Sequence, residues 1–306
     1  MYIEIRQRTV QIYIFLNYGK LHYGVSSSWQ NYGETFLKPL VSIVIPTRNS
    51  SNTIEECLLA AEKQTYQNIE VIIVDSNSKD DTAKIASSKG CKVIFTEWKL
   101  LGARYLGCKA ASGEFVLMLD SDQVLLEDAV ERSLPLFQGY DMLCLEETSY
   151  TAKTLIQKMF EADRRLINND AHIQLDPIYG TLLARFYKTS LLECAFEAIP
   201  KSLLPSVIAH DHAIIYYEAW KLSDRVNILP NAVCHNEPAT IFDLWKKNFR
   251  YGRSTREVMS NGYYNDLIRR KTHLRKTSAR KITRDRLLSS LLLSLKAPAY
   301  LLGLYI

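Results

Sequence analysis

Residues 41–46 read Val-Ser-Ile-Val-Ile-Pro, a short apolar run that ends at a proline. A run of this kind is typical of a strand buried on both faces of a parallel sheet. Three later runs have the same character, at 70–74, 92–95 and 115–119. Helical patterns at 53–64 and 101–111 separate them. Strands and helices that alternate at this spacing predict βαβ units, and hence a Rossmann-like α/β fold with a mostly parallel sheet.

Distinctive residues stand where three of these strands end. Pro46, Asp75 and Asp120 each follow an apolar run directly. In open parallel sheets, ligands bind in the crevice outside the carboxyl ends of the strands. We therefore expect these three positions to line one crevice.

Asp120 and Asp122 are two carboxylates separated by Ser121. Mg²⁺ and Mn²⁺ take oxygen ligands, usually one or two carboxylates together with substrate phosphates. An Asp-x-Asp sequence alone is more often a solvated turn, but here it follows five apolar strand residues. That position favours a metal site, in which the ion would neutralise a diphosphate and improve it as a leaving group.

Asp75 is a carboxylate at the end of a buried strand. Such a group can accept hydrogen bonds from a nucleobase or from a ribose hydroxyl. The polar residues behind it are explained by a loop and a helix cap, with Ser78 or Asp80 as the expected cap. Asp75 itself would be costly beside a buried strand without hydrogen-bond partners.

The composition describes a globular chain. Of 306 residues, 47% are hydrophobic and 23% are charged, which excludes the disordered and collagen-like classes. Residues 1–38 are interpreted as an N-terminal extension, with a possible strand at 10–16. None of the six cysteines forms a Cys-x-x-Cys pair, and no secretory signal is visible, so we expect reduced thiols in the cytosol.

The C-terminal part is first basic and then apolar. Between Lys246 and Arg286 there are fourteen Lys or Arg against three Asp or Glu, although the net charge of the chain is only +5. The apolar stretch 287–306 is long enough to cross a bilayer, but Lys296 and Pro298 interrupt it. It could span the membrane, lie at its surface or pack on the domain. Nucleic acid is not expected, because the aromatic platforms of single-strand binders are not obvious there.

Several motifs resemble those of the family 2 glycosyltransferases, which have the GT-A fold. Residues 41–49, Val-Ser-Ile-Val-Ile-Pro-Thr-Arg-Asn, resemble the opening motif, and residues 74–82 resemble the second motif. The third motif is matched by Gly102–Gly107, by Ala111–Glu114 and by Leu119–Asp122. The resemblance covers residues 40–255, with the motifs in the family's order and spacing.

The resemblance implies transfer of one sugar from a nucleotide-diphosphate sugar. It implies that the donor nucleotide and diphosphate are bound by Pro46, Thr47, Arg48, Asn49, Asp75, Asn77, Arg104, Asp120 and Ser121. It also implies a Mg²⁺ or Mn²⁺ ion held by Asp120, Asp122 and His235. The processive-synthase signature Gln-x-x-Arg-Trp is absent, which favours a single transfer over polymerisation.

Asp211 falls where the family usually has Glu-Asp, in the sequence Ala-His-Asp-His at 209–212. The resemblance implies that Asp211 is the general base of an inverting transfer, taking the proton of the acceptor hydroxyl. His210 replaces the usual glutamate. The alternative role for Asp211 is a cap for the helix that follows.

The predicted organisation has three parts: an extension at 1–38, a GT-A domain at 39–255, and a membrane-associating tail at 256–306. The expected acceptor is lipid-linked or a saccharide, and the expected location is the cytoplasmic face of a membrane. Two other functions stay open. A sugar nucleotidyltransferase would normally have a Gly-rich loop after the first strand, and a non-catalytic sugar-nucleotide-binding scaffold is favoured only by His210.

Overall fold

The structure is a computed structural model, and it describes residues 3–7, 10–17, 20–25, 38–171, 175–272 and 283–306. The chain forms two compact units, Met1–Lys38 and Pro39–Ile306.

The first unit contains a three-stranded antiparallel sheet. Its strands are β1 (Ile3–Gln7), β2 (Val10–Asn17) and β3 (Lys20–Val25), in that order across the sheet. The strand expected at 10–16 is confirmed as β2. Its two partners were not predicted from the sequence.

The second unit is built on an eight-stranded sheet with the order β6-β5-β4-β7-β10-β9-β11-β8. Its strands are β4 (Val41–Thr47), β5 (Ile69–Asp75), β6 (Lys92–Phe95), β7 (Phe115–Met118), β8 (Gln123–Leu125), β9 (Met142–Ser149), β10 (Ala184–Lys188) and β11 (Val226–His235). The first four strands of that order are parallel to one another. The predicted parallel half of the sheet is therefore confirmed.

The other half of the sheet is mixed. β10 lies antiparallel to both β7 and β9, and β8 lies antiparallel to β11, whereas β9 and β11 are parallel. β10 has five residues and β11 has ten. β11 continues past Pro230 because its register shifts between Leu229 and Val233, and such an irregularity accommodates a residue without an N–H.

Helices cover the sheet. They are α1 (Ile54–Glu62), α2 (Thr82–Ser88), α3 (Leu100–Ala110), α4 (Ala129–Ser133), α5 (Leu155–Ala171), α6 (Thr189–Ala198), α7 (Asp211–Leu222), α8 (Ile241–Ser260), α9 (Asn265–Thr272) and α10 (Arg284–Tyr305). Alternate residues of β4 enter different cores. Val44 packs in the core with residues of α3, α6 and α7, while Ile43 and Ile45 pack with residues of α1 and α4. Burial on both faces explains why this strand is a continuous apolar run.

The last helix packs on the same unit. α10 lies against α8 and α5, and position 255 falls inside α8. The contacts group residues 39–306 together, so the division of this unit at 255 stays a proposal about function.

Candidate active site

The loops after β4 and β5 are joined through Asp75. This carboxylate is 1% exposed and accepts hydrogen bonds from Thr47 Oγ1 at 2.8 Å, Ser78 N at 2.8 Å and Ser78 Oγ at 2.6 Å. These hydrogen bonds supply the partners that a buried carboxylate at the end of a strand requires. Ser78 binds Asp75 instead of capping α2, which begins after Asp81. Contact between Asp75 and a nucleoside stays a prediction.

Asn49 and Asn77 shape the same edge of the sheet. Both have left-handed backbone conformations, with φ of 51° and 55°, which asparagine tolerates better than most residues. Asn49 Oδ1 accepts a bond from Lys79 N at 2.7 Å, and Asn49 N donates to Ser78 Oγ at 2.8 Å. Asn49 therefore connects the first predicted donor-binding loop to the second. Arg48, beside it, is exposed.

Arg104 lies beneath the strand ends. It is on α3, and Gly107, one turn later, lets that helix lie directly on Val44 of β4, because a Cβ there would collide with the valine. The Arg104 side chain is fully buried and binds the carboxylates of Asp120 and Asp211, with Nε 2.6 Å from Asp211 Oδ2. The structure thus brings a predicted metal ligand and the predicted base to one guanidinium.

Asp120 faces the protein interior. One oxygen binds Arg104, and the other lies 2.7 Å from Nη1 of Arg185 on β10. Burial alone would favour the neutral acid, but the Arg104 and Arg185 guanidiniums outweigh it and hold the pKa of Asp120 well below its usual range. Asp120 is therefore ionised and fixed in position.

Asp122 faces the other way, toward the end of β11. Its Oδ1 lies 3.6 Å from Nε2 of His235, and its Oδ2 lies 3.8 Å from Nζ of Lys247 on α8. Its side chain is 31% exposed. Ser121, between the two aspartates, contacts Ser50 through their hydroxyls at 2.9 Å.

The pair of Asp122 and His235 suits a divalent ion. Residues 38–168, 175–271 and 283–306 hold no group of three or more His, Cys, Asp or Glu side chains arranged around one point. However, the Nδ1 atom of His235 is buried without a hydrogen bond and lies 3.4 Å from Glu237 Oε1. A carboxylate behind one ring nitrogen is the usual way to orient a metal-binding histidine. Two protein ligands would leave positions for phosphate oxygens and water.

The two histidines around Asp211 point to different places. His210 has φ of 66° and its Nε2 lies 2.9 Å from Thr255 Oγ1 on α8, so it anchors the start of α7. His212 Nε2 lies 2.6 Å from Nη1 of Arg185. Burial, with the neighbouring guanidiniums in the case of His212, lowers the pKa of each to about 4. Both are neutral at pH 7.

A chain of largely buried ion pairs behind Asp120 was not predicted from the sequence. Arg185 Nη2 lies 3.2 Å from Glu147 on β9, Glu147 also binds Arg164 on α5, and Arg164 Nε donates to Glu237 at 2.7 Å. The members lie far apart in sequence, so their pairing left no local pattern. The available signal was Arg185 inside the otherwise apolar strand 184–187, because a buried guanidinium requires a partner.

Comparison with known proteins matches residues 42–188 to the model of glycosyl transferase family 2. This part of the chain is a glycosyl transferase family 2 domain. An uncharacterized glycosyltransferase of Rickettsia prowazekii is 28% identical over 199 residues, which is 61% of this chain and 59% of that protein. The chain therefore spans less than two thirds of the length of this relative.

A second relative has a more specific name. It is the Escherichia coli UDP-Glc:alpha-D-GlcNAc-diphosphoundecaprenol beta-1,3-glucosyltransferase WfgD, 35% identical over 100 residues, or 31% of this chain and 40% of that protein. Among solved structures, residues 1–349 of S. aureus TarS in complex with UDP-GlcNAc superpose with a TM-score of 0.53 at 19% identity. That match covers 85% of this chain and 81% of TarS 1–349, and it confirms the GT-A fold expected of family 2.

Proposed function

We propose that this protein is an inverting glycosyltransferase that moves one sugar from a nucleotide-diphosphate sugar to an acceptor. The observation that carries the proposal is the double ion pair of Arg104, which holds Asp120 and Asp211 together at the carboxyl edge of the sheet. The proposed base, Asp211, and the first aspartate of the Asp-x-Asp motif thereby lie in one site. A transfer in one displacement step requires the groups that act on the acceptor and on the donor to lie close together.

Asp211 is the proposed base. It is the first residue of α7 and is 7% exposed, and its Oδ2 accepts a hydrogen bond from Arg104 Nε. This leaves Oδ1 to take the proton of the acceptor hydroxyl while the hydroxyl oxygen attacks the anomeric carbon. The ion pair with the Arg104 guanidinium keeps the Asp211 carboxylate in one orientation.

Asp122 and His235 are the proposed holders of a Mg²⁺ or Mn²⁺ ion. When bound, the ion supplies positive charge to the diphosphate leaving group. Asp120 has a different place in this proposal, because both of its oxygens bind guanidiniums. Asp120 orients Arg104 and Arg185. The adjoining surface for the donor is formed by Ser121 and the loop 46–49.

We further propose a lipid-linked acceptor at the cytoplasmic face of a membrane. The name of the relative WfgD specifies a diphosphoundecaprenol acceptor. Among the described residues, α10 is long and apolar enough to cross a membrane by length and composition. Nucleotide sugars are made in the cytosol, which is where the donor would be met.

The test is release of nucleoside diphosphate from a panel of nucleotide sugars, with Mg²⁺ or Mn²⁺ and with chelator. We expect one donor to be turned over in the presence of the metal, and Asp122→Asn to lower the rate by orders of magnitude. Donor binding without turnover under every condition would instead support a scaffold. His210, which replaces the glutamate usual in the family, is the feature that favoured a scaffold. Its side chain contacts Thr255, and Asp211 still lies in the site.

A further inference from the structure

The inner face of α10 is fixed to the catalytic unit along its whole length. Near its start, Asp285 accepts bonds from Arg165 at 2.8 and 2.9 Å, and Ser289 Oγ donates to Asp163 at 2.7 Å. Near its end, the Tyr300 hydroxyl donates to Thr255 Oγ1 at 3.0 Å. These contacts tie α10 to α5 and to α8.

Two glycines bring α10 and α8 into backbone contact. A Cβ at Gly303 would collide with the carbonyl of Phe249, and a Cβ at Gly252 would collide with the carbonyl of Tyr300. Toward the other end, Leu292 packs with Leu244. The two helices therefore run side by side in the same direction.

These contacts are incompatible with α10 crossing a bilayer as a free helix. To span, it would have to leave α5 and α8, or draw Asp163 and Arg165 into hydrocarbon, which is costly for charged groups. Lys296, the charge in the middle of the apolar stretch, lies over the ring of Phe160 on α5, 4.2 Å from its centroid. The charge of Lys296 is thus stabilised by a contact with α5 and does not have to enter lipid.

The outer face of α10 is an exposed apolar stripe. Leu287 is 62% exposed, Leu291 45%, Leu301 47% and Tyr305 79%. Their spacing of three to four residues, or multiples of it, places them on one side of the helix. The adjoining helix α8 exposes large hydrophobic side chains and basic side chains. They are Ile241, Phe242, Trp245, Lys246, Arg250 and Arg253.

We propose that α8 and α10 form a membrane-docking face on which α10 lies flat in the interface of an anionic bilayer. The occupant is a bilayer because α10 exposes leucines and the helix packed against it, α8, exposes tryptophan, phenylalanine and cations, which is the composition of helices that lie in the headgroup region. Anionic headgroups complement the exposed Lys246 and Arg250 on α8 and Arg284 at the start of α10. The proposal deepens the proposed function by holding the active site beside a lipid-linked acceptor.

The depth of α10 in vesicles tests this orientation. Leu287→Trp, Ser294→Trp and Leu302→Trp are made separately in the full chain carrying Trp245→Phe, and quenching by brominated lipids is measured relative to that parent. Flat docking predicts the same shallow depth at all three positions. A spanning helix of about 33 Å predicts that position 294 is deep and that 287 and 302 are shallow, and this result would overturn the proposal.

The charge requirement is tested with a matched pair of variants. Lys246→Glu/Arg284→Glu is expected to weaken partition into phosphatidylglycerol-containing vesicles by at least about tenfold, since each basic residue near such a surface contributes to binding. Lys63→Glu/Lys84→Glu changes the net charge equally, at exposed sites just after α1 and on α2, and is expected to bind normally. Equal loss in both, or a dimer through this face that persists with vesicles, would contradict the proposal.

Donor hydrolysis without lipid separates this proposal from the proposed function. Both charge variants are expected to keep the parent's rate of nucleoside diphosphate release. If the parent protein itself does not turn over any donor, the proposed function is refuted, and the docking measurements are unaffected.

Discussion

At the scale of single residues, the site depends on which carboxylate each cation binds. Arg104 is fully buried and joins Asp120 to Asp211, while Asp122 turns toward His235. Asp120 and Asp122, two residues apart in one short motif, therefore have different surroundings and should respond differently to the same substitution.

Asp120→Asn should cost stability as well as activity. It leaves the fully buried Arg104 and the largely buried Arg185 without a shared carboxylate, and breaking a buried pair costs roughly 3–5 kcal/mol. Asp122→Asn, at a partly exposed position, should fold normally and lose its response to added Mn²⁺. Thermal unfolding and metal titration of nucleotide binding measure the two effects. Equal unfolding temperatures for both variants would contradict this assignment.

Asp211→Asn should lower turnover by about 10²- to 10⁴-fold, because a general base contributes on that scale. Donor affinity should change little, since the base acts on the acceptor proton. Donor binding by calorimetry and transfer at saturating donor check the two parts. Asp224→Asn, at an exposed position just after α7, is the control and should retain full turnover. Loss of donor binding with normal turnover would make Asp211 a ligand residue.

At the scale of elements, α8 and α10 cross with their backbones in close contact. Gly252 and Gly303 permit it because neither has a side chain to separate the helices. The contact decides whether the apolar C-terminal stretch is a separate anchor or a wall of the catalytic unit.

Gly303→Val should lower the unfolding temperature, because its side chain would enter the space of the Phe249 carbonyl and overpacking costs typically about 1–3 kcal/mol. Ala297→Val lies on the same helix at an exposed position and is the control. Calorimetric unfolding of both compares them directly. A variant at 303 as stable as the control would show that α10 is not held in this position.

At the scale of the whole molecule, stability should depend on pH through buried groups. The folded pKa of His210 and of His212 is about 4, below the ordinary 6.5, and Arg185 and Arg164, opposing burial, bring the pKa of Glu147 to about 2. All three shifts are downward, so the unfolded chain binds more protons as pH falls.

The free energy of unfolding should therefore decrease from pH 6.5 to 4 through the histidines, and from pH 4.5 to 2 through Glu147. Denaturant unfolding at a series of pH values measures this slope. His212→Gln should flatten the upper window, and Glu147→Gln should reduce stability at pH 7 and flatten the lower one. Stability that rises on acidification from pH 6.5 would contradict the buried, neutral state of the histidines.

The sequence by itself determined the parallel half of the sheet, the strand-end positions of Asp75 and Asp120, and the family. These are properties of local periodicity and contiguous motifs, which are written within a few residues. The tertiary structure alone decided that Asp120 binds Arg185, 65 residues away, that Arg104 binds Asp211, 107 residues away, and that the apolar C-terminal helix packs on α5 and α8. Ion pairing and helix packing depend on which surfaces the fold brings together, and no spacing in the chain encodes that choice.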